Sequence, residues 1–323
     1  MTYLAMPDDD AAETGTMPVR RFTFIGVTTG SSAIMRVFPA WAVDLGLEAV
    51  VMNGHDLPIH AEPSRYREVV SALKEDPSDL GALVTTHKID LFDACRDQFD
   101  EIDPYAELLG EVSCLSKRDG IFRAHAKDPI SSGRSFDDFV AQGYWERTHA
   151  DALLFGAGGS NLAITIHLMT VREPSDRPQR IIVVNRSPGR LESMRAVHER
   201  LNSGVELEYV HNADPRINDG LLESLPPGSL VVNGTGMGKD SPGSPLTDDG
   251  VFPEQGVVWE LNYRGELDFI QQTRRQENAR SLIVEDGWRY FIHGWTSVIE
   301  EVFDLEIAPD RLERLSEIAG DYR

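Results

Sequence analysis

The chain has 323 residues, with 31 Lys and Arg against 53 Asp and Glu and a formal net charge of −22. That balance repels phosphate backbones and anionic lipid, so it argues for no nucleic acid and no membrane as partner, and any anionic ligand must be held by local cations. A hydrophobic share of 41% supports a sizeable core and the length predicts two domains. Two cysteines, Cys95 and Cys114, build neither a disulfide framework nor a metal motif, and they suit a cytoplasmic setting.

Residues 1–18 are rich in Asp, Ala, Thr and Pro and read as a disordered acidic leader over about residues 1–20. No basic start followed by an apolar run marks a signal peptide, and no window reaches the roughly eighteen apolar residues of a membrane span. From Arg21 the pattern predicts strand 22–26, loop 27–32, helix 33–45, strand 48–53, helix 64–75, strand 80–85 and a helix from Lys88. Such βαβ units predict a mainly parallel sheet. Residues 111–115 and 121–125, joined through Asp119-Gly120, read as a hairpin. Helical segments over 136–145 then lead to Leu153-Leu154-Phe155-Gly156-Ala157-Gly158-Gly159-Ser160-Asn161-Leu162-Ala163, a buried strand running into a glycine turn and a helix.

That turn aims backbone N–H groups and a helix N-terminus at one point, a site for a pyrophosphate. Gly156 takes the tight turn, Gly158 lets a phosphate approach, and Ala163 lets the helix lie close to the sheet. The next strand, 181–184, ends in Asn185, Arg186 and Ser187, with Arg190 one turn further on. An NAD site usually has Asp or Glu there, whereas a 2′-phosphate needs cations and hydroxyls, so NADP is the expected cofactor. The simpler alternative is a solvated helix start capped by Ser187, but arginines at an N-terminus oppose the helix dipole. Strands at 205–209, 230–232 and 257–261 continue a second doubly wound sheet. Residues 173–179 and 226–228 read as surface loops, and helices over 290–303 and 310–322 follow; periodicity does not say which domain they cover. The expected fold class is α/β with two domains. Residues 21–135 plus 282–323 would form a substrate-binding domain and residues 136–281 a Rossmann NADP-binding domain, with a cleft between.

A substrate should meet the nicotinamide at strand ends of the first sheet. Lys88 follows an apolar strand, beside Thr85, Thr86 and His87, and with a pKa lowered by desolvation it would carry the proton that accompanies a hydride. Asp128 would hold that ammonium as an acid–base partner. Each has a simpler alternative, a solvated lysine and a helix cap before Pro129. His87, His125 and His293 match no compact ligand motif, so no metal is expected. Ser31 and Ser32 lie in no nucleophile motif.

Taken in order, these pieces resemble the shikimate/quinate dehydrogenase family over about residues 22–303. The resemblance implies a hydroxyl-bearing loop with Ser31 and Ser32 for a substrate carboxylate, and a catalytic lysine at Lys88 after Leu83-Val84-Thr85-Thr86-His87, with Thr85 at the substrate. Gly110-Glu111-Val112-Ser113-Cys114 is similar to the family's Gly-Ala-Val-Asn-Thr, with Ser113 at the substrate-binding Asn. Ala126-Lys127-Asp128 is similar to Asn-Thr-Asp and keeps the catalytic aspartate. Gly156, Ala157, Gly158, Gly159 and Ser160, then Asn185, Arg186, Ser187 and Arg190, stand at the cofactor-binding segments, and Asn233, Gly234, Thr235 and Gly236 border the nicotinamide. Tyr263 stands at the substrate-facing tyrosine, and Gly294 falls where the family has a substrate glutamine, with Tyr290 and His293 close enough to replace it. The resemblance implies an NADP-dependent dehydrogenase, monomer or homodimer, acting on a shikimate-like cyclic hydroxy or keto acid or a cyclitol, in the pathway of aromatic amino acid biosynthesis. Two alternatives stand beside it: an authentic shikimate or quinate dehydrogenase with a drifted pocket, and a catalytically inactive NADP(H)-binding regulatory protein.

Overall fold

The computed structural model describes residues 19–239 and 241–323; the expected leader lies outside the described residues. The first part of the chain runs β1 (Arg20–Gly26), α1 (Ile34–Leu45), β2 (Val50–Asp56), α2 (Pro63–Glu75), β3 (Asp79–Val84), α3 (Lys88–Cys95), β4 (Glu101–Ile102), α4 (Pro104–Leu109), β5 (Cys114–Arg118) and β6 (Ile121–His125). Their sheet has the order β2-β1-β3-β5-β6-β4. β1 is parallel to β2 and β3, while β5 runs antiparallel to both β3 and β6. The hairpin turns at Asp119 and Gly120, whose φ values of 55° and 75° are the left-handed pair that a tight hairpin needs. β5 begins later than the 111–115 segment suggested, because the Val112 N–H turns aside to donate to the Lys88 carbonyl at 3.1 Å.

The chain continues through α5 (Asp128–Asp137), α6 (Tyr144–Thr148), β7 (Ala152–Phe155), α7 (Gly159–Thr170), β8 (Arg180–Asn185), α8 (Pro188–Leu201), β9 (Glu206–His211), α9 (Pro215–Glu223), β10 (Leu230–Asn233), β11 (Val257–Glu260), α10 (Asp268–Arg274), α11 (Glu277–Arg280) and β12 (Ile283–Glu285). Here the strand order is β12-β11-β10-β7-β8-β9, and every pair is parallel. The order reverses between β7 and β10, which opens a crevice at their carboxyl ends. Alternation along the strands divides the apolar side chains between two faces: Leu154 and Val183 pack on one side, Leu153, Phe155 and Val184 on the other.

Three details differ from expectation. The helix expected near 136 begins at Asp128, with Pro129 in its first turn, where a missing N–H costs nothing. The insert 173–179 is anchored: Asp176, 6% exposed, accepts from Gly143 N at 2.7 Å, Trp145 N at 2.8 Å and Arg172 at 3.0 Å. The second sheet also runs past residue 281, since β12 pairs with β11 before the chain crosses at Asp286.

α12 (Gly287–Phe303) and α13 (Pro309–Gly320) settle on the first sheet. Trp295 packs edge-on against Phe24 with ring centroids 4.9 Å apart, and Trp41 Nε1 donates to the Leu315 carbonyl at 2.8 Å. The N-terminal end of α12 also reaches the second core, where Tyr290 meets Trp259 at 5.9 Å. α5 and α7 cross closely at Gly133, where a β-carbon would lie 2.2 Å from His167 Nδ1. Among the described residues no helix is long and apolar enough to cross a membrane.

Candidate active site

The phosphate turn is built as the glycine pattern suggested. Gly156 has φ +101°, and a β-carbon there would lie 2.8 Å from the Gly234 carbonyl, so the turn at the end of β7 packs against the loop after β10. Asn161 holds the bend from inside the helix, its Nδ2 donating to the Phe155 and Gly156 carbonyls at 2.8 and 2.7 Å. Gly158 and Gly159 leave the start of α7 uncrowded, the nearest atom to Gly159 being Glu111 Oε2 at 3.8 Å from a β-carbon position.

A cavity of about 470 Å³ runs along this turn, lined by Gly156, Ala157, Gly158, Asn185, Arg186, Ser187, Arg190, Gly234 and Thr235 among others. Ser187 stands at the N-cap of α8 without a side-chain capping bond, so the simpler capping role does not use its hydroxyl. Arg186 and Arg190 are exposed, and neither pairs with a carboxylate among the described residues. Asn185 ties the site together, accepting from Ala157 N at 3.4 Å and donating to the Ser187 carbonyl at 3.1 Å. A recessed turn with open glycines, two free guanidiniums and a free hydroxyl fits the pyrophosphate and 2′-phosphate of a dinucleotide.

On the other side of the Gly234–Thr235 segment lies a cleft of about 500 Å³. Lys88, the first residue of α3, and Asp128, the first residue of α5, meet there in a salt bridge. The side chain of Asp128 thus bonds across to α3. Burial alone would push the Lys88 ammonium down, but Asp128 and then Glu111 outweigh it and hold the ammonium above its ordinary value. This corrects the expectation of a lowered lysine: the Lys88 ammonium is held in its charged form beside the Asp128 carboxylate. Ser113, Ser131, Ser160, Thr85, Gly236, Asn262, Tyr263 and Tyr290 line the same cleft. The Ser113 hydroxyl accepts from Lys127 N at 2.7 Å, and burial pushes the Tyr290 phenol up to about 12.

A neighbouring cavity of about 390 Å³ carries Ser31, Ser32, Thr28 and Arg264, and shares Leu83, Thr85, Lys239, Tyr263, Phe291 and Trp295 with the cleft. Two expected site residues lie elsewhere. His293 is 4% exposed, and its Nε2 meets Asp138 at 2.7 Å on a different face of α12 from Gly294, Trp295 and Val298, so Tyr290 alone of the two faces the cleft. Asn233 is fully buried; it donates to Glu260 Oε2 at 2.7 Å and accepts from Thr235 Oγ1 at 2.7 Å, shaping the loop after β10 from beneath.

Several residues were not legible beforehand. Glu260, buried and pushed up to about 7 by that burial, also accepts from Asn262 N at 2.8 Å and thereby fixes Asn262 at the cleft. Glu111, buried beside Lys88 and Asp128, gave no signal beyond being acidic in an apolar run. Among the described residues, no group of three His, Cys, Asp or Glu side chains is placed to hold a metal.

No family model matches the chain. Its sequence is 26% identical over 284 residues to the NADP(+) shikimate dehydrogenase of Symbiobacterium thermophilum, covering 85% of this chain and 89% of that one. Among solved structures, shikimate 5-dehydrogenase from Thermus thermophilus in complex with NADP(H) and shikimate superposes with TM-score 0.67 and 22% identity, over 93% of this chain and 99% of that one. The 5-ketofructose reductase of a Gluconobacter species superposes with TM-score 0.70 and 16% identity, over 95% and 100%. At those identities the structural likeness is one of fold. In that fold and in sequence along most of its length, the chain is similar to shikimate dehydrogenases.

Proposed function

We propose that the protein is an NADP-dependent oxidoreductase that transfers a hydride between the nicotinamide and a ring hydroxyl or ketone of a shikimate-like cyclic acid, with Lys88 and Asp128 as the proton-transfer pair. The observation that carries this reading is the Lys88–Asp128 salt bridge in a cleft whose opposite wall is the Gly234–Gly236 loop bordering the dinucleotide cavity. When bound, the dinucleotide supplies or accepts the hydride. For reduction of a ketone, Lys88 donates a hydrogen bond and then its proton to the carbonyl oxygen as the carbon gains the hydride pair, which completes the carbinol. Asp128 holds the ammonium aimed at that oxygen, and in the oxidative direction the pair takes the hydroxyl proton back.

The charge of the linings favours an anionic substrate. Lys88 is paired with Asp128 in the cleft, and the exposed Arg264 adds a guanidinium at the neighbouring cavity, in a chain whose net charge is −22. Leu83, Phe291, Trp295 and Val298 form an apolar wall, and a β-carbon on Gly294 would meet nothing within 4 Å, so the cleft has room for a ring substituent. A related ring acid, more than shikimate itself, fits that space. The same reading places the protein in the cytoplasm, where buried Cys95 and Cys114 stay as thiols, acting as a monomer or homodimer.

The test is nicotinamide absorbance with NADP(H) and a panel of shikimate, quinate, their amino- and alkyl-substituted relatives and neutral cyclitols. Turnover of ring acids, with neutral cyclitols at least about tenfold poorer in kcat/KM, is expected. Turnover of neutral cyclitols alone would contradict the anionic assignment, and tight NADPH binding without turnover of any ring compound would make the protein a binder only.

A further inference from the structure

We propose that Glu111 is a positioning residue for Lys88 whose proton occupancy is set by the dinucleotide: phosphate bound at the start of α7 drives a proton onto the Glu111 carboxylate and so loosens the grip on the Lys88 ammonium. The inference rests on the dinucleotide reading above. It is carried by where the side chain sits. Glu111 is 7% exposed and its backbone is pinned on both sides: Gly110 closes α4 in a left-handed turn at φ 63°, and the next residue's N–H donates to the Lys88 carbonyl. Its Oε2 lies 3.8 Å from the β-carbon position of Gly159, the first residue of α7 and part of the phosphate turn. The carboxylate therefore stands between the proton-transfer pair and the place where a pyrophosphate would lie.

The groups that face it are Lys88 from α3, Asp128 from α5, the start of α7 and the Tyr290 phenol from α12. Burial disfavours the charged form most, Lys88 favours it and Asp128 opposes it; the balance pushes Glu111 up to about 7. Before the dinucleotide binds, the positive end of α7 also favours the carboxylate. A bound pyrophosphate neutralises that helix end and adds negative charge, so both changes push the carboxyl towards its protonated form. Lys88 then keeps its Asp128 partner but loses the nearby Glu111 charge, so its pKa falls and it becomes a better proton donor only when the cofactor is in place. No oxidant, reductant or further reactant is involved: the proton comes from solvent on binding and returns on release.

The test is calorimetric titration of the whole protein with NADP at about pH 7 in two buffers of different ionisation enthalpy, whose difference counts protons taken up. A rise of about one pKa unit in Glu111 gives an uptake of about 0.4 proton per site in the wild type. In Glu111→Gln, which keeps the shape and removes the titration, NADP is expected to bind with that uptake lost. A pH series on the wild type alone gives an independent reading, with uptake greatest between about pH 7 and 8. Equal proton uptake in both proteins, or a wild type with no uptake across that range, overturns the role of Glu111 while leaving the cofactor assignment intact. Failure of the wild type to bind NADP or NADPH overturns the assignment itself and this inference with it.

Discussion

Replacing Lys88 by methionine is expected to lower kcat for the ring substrate by about a hundred- to ten-thousandfold while NADPH binds as before. Methionine fills the space of the aliphatic stem but offers no proton, so the loss measures proton donation and polarisation of the carbonyl oxygen. The Lys88 and Asp128 side chains are 22% and 16% exposed, so the Asp128 charge left behind is partly buried, and a stability loss of about 1–3 kcal/mol should accompany the change. Thermal unfolding separates the two effects: a folded variant that binds NADPH and does not turn over supports the assignment. Near-normal kcat in that variant would remove Lys88 from the chemistry.

Arg186→Ala is expected to weaken NADP by about ten- to a hundredfold while changing NAD binding little, because in the proposed function that guanidinium is assigned to the 2′-phosphate that NAD lacks. Its neighbours define the size of the effect. Arg190 and the uncapped Ser187 hydroxyl remain in the same cavity, so part of the phosphate recognition survives. The measurement is the ratio of Michaelis constants for NADP and NAD in wild type and variant. An unchanged ratio would show that the cations at the end of β8 do not read the phosphate.

The strand–glycine turn–helix unit was legible because its signals are local. Gly156 must adopt a positive φ, the strand before it is a continuous apolar run, and Asn185 with its arginines follows at the end of the next strand, so two short stretches carry the signal. The Lys88–Asp128 salt bridge is of another kind. Lys88 and Asp128 are 40 residues apart, on different helices, and only the return of β6 beside β5 brings their helix starts together; spacing suggested the pair but left each residue with a simpler explanation.

The α12 assignment shows how periodicity can be used too loosely. Tyr290 and His293 are near neighbours in sequence, but the cleft-facing stripe is Phe291, Gly294, Trp295 and Val298, flanked by Tyr290. Arg289 and His293, four residues apart on the same turn-to-turn line, face Asp138 instead. Anchoring the helix by its apolar stripe would have separated the two candidates. Glu111 and Glu260 were illegible for a different reason. A buried carboxylate declares itself only once the groups around it are known, here the Lys88 ammonium for one and the two asparagines of adjoining strand ends for the other.

The most direct test of the central claim is transfer of the label from dihydronicotinamide-deuterated NADPH to a ring ketone by the wild-type protein, followed by mass and NMR analysis of the product. The account predicts one deuterium on the carbinol carbon, transferred from a single face of the nicotinamide, and none in Lys88→Met over the same time. Oxidation of the reduced dinucleotide with the deuterium absent from the product, or label transfer that persists undiminished in Lys88→Met, would contradict it.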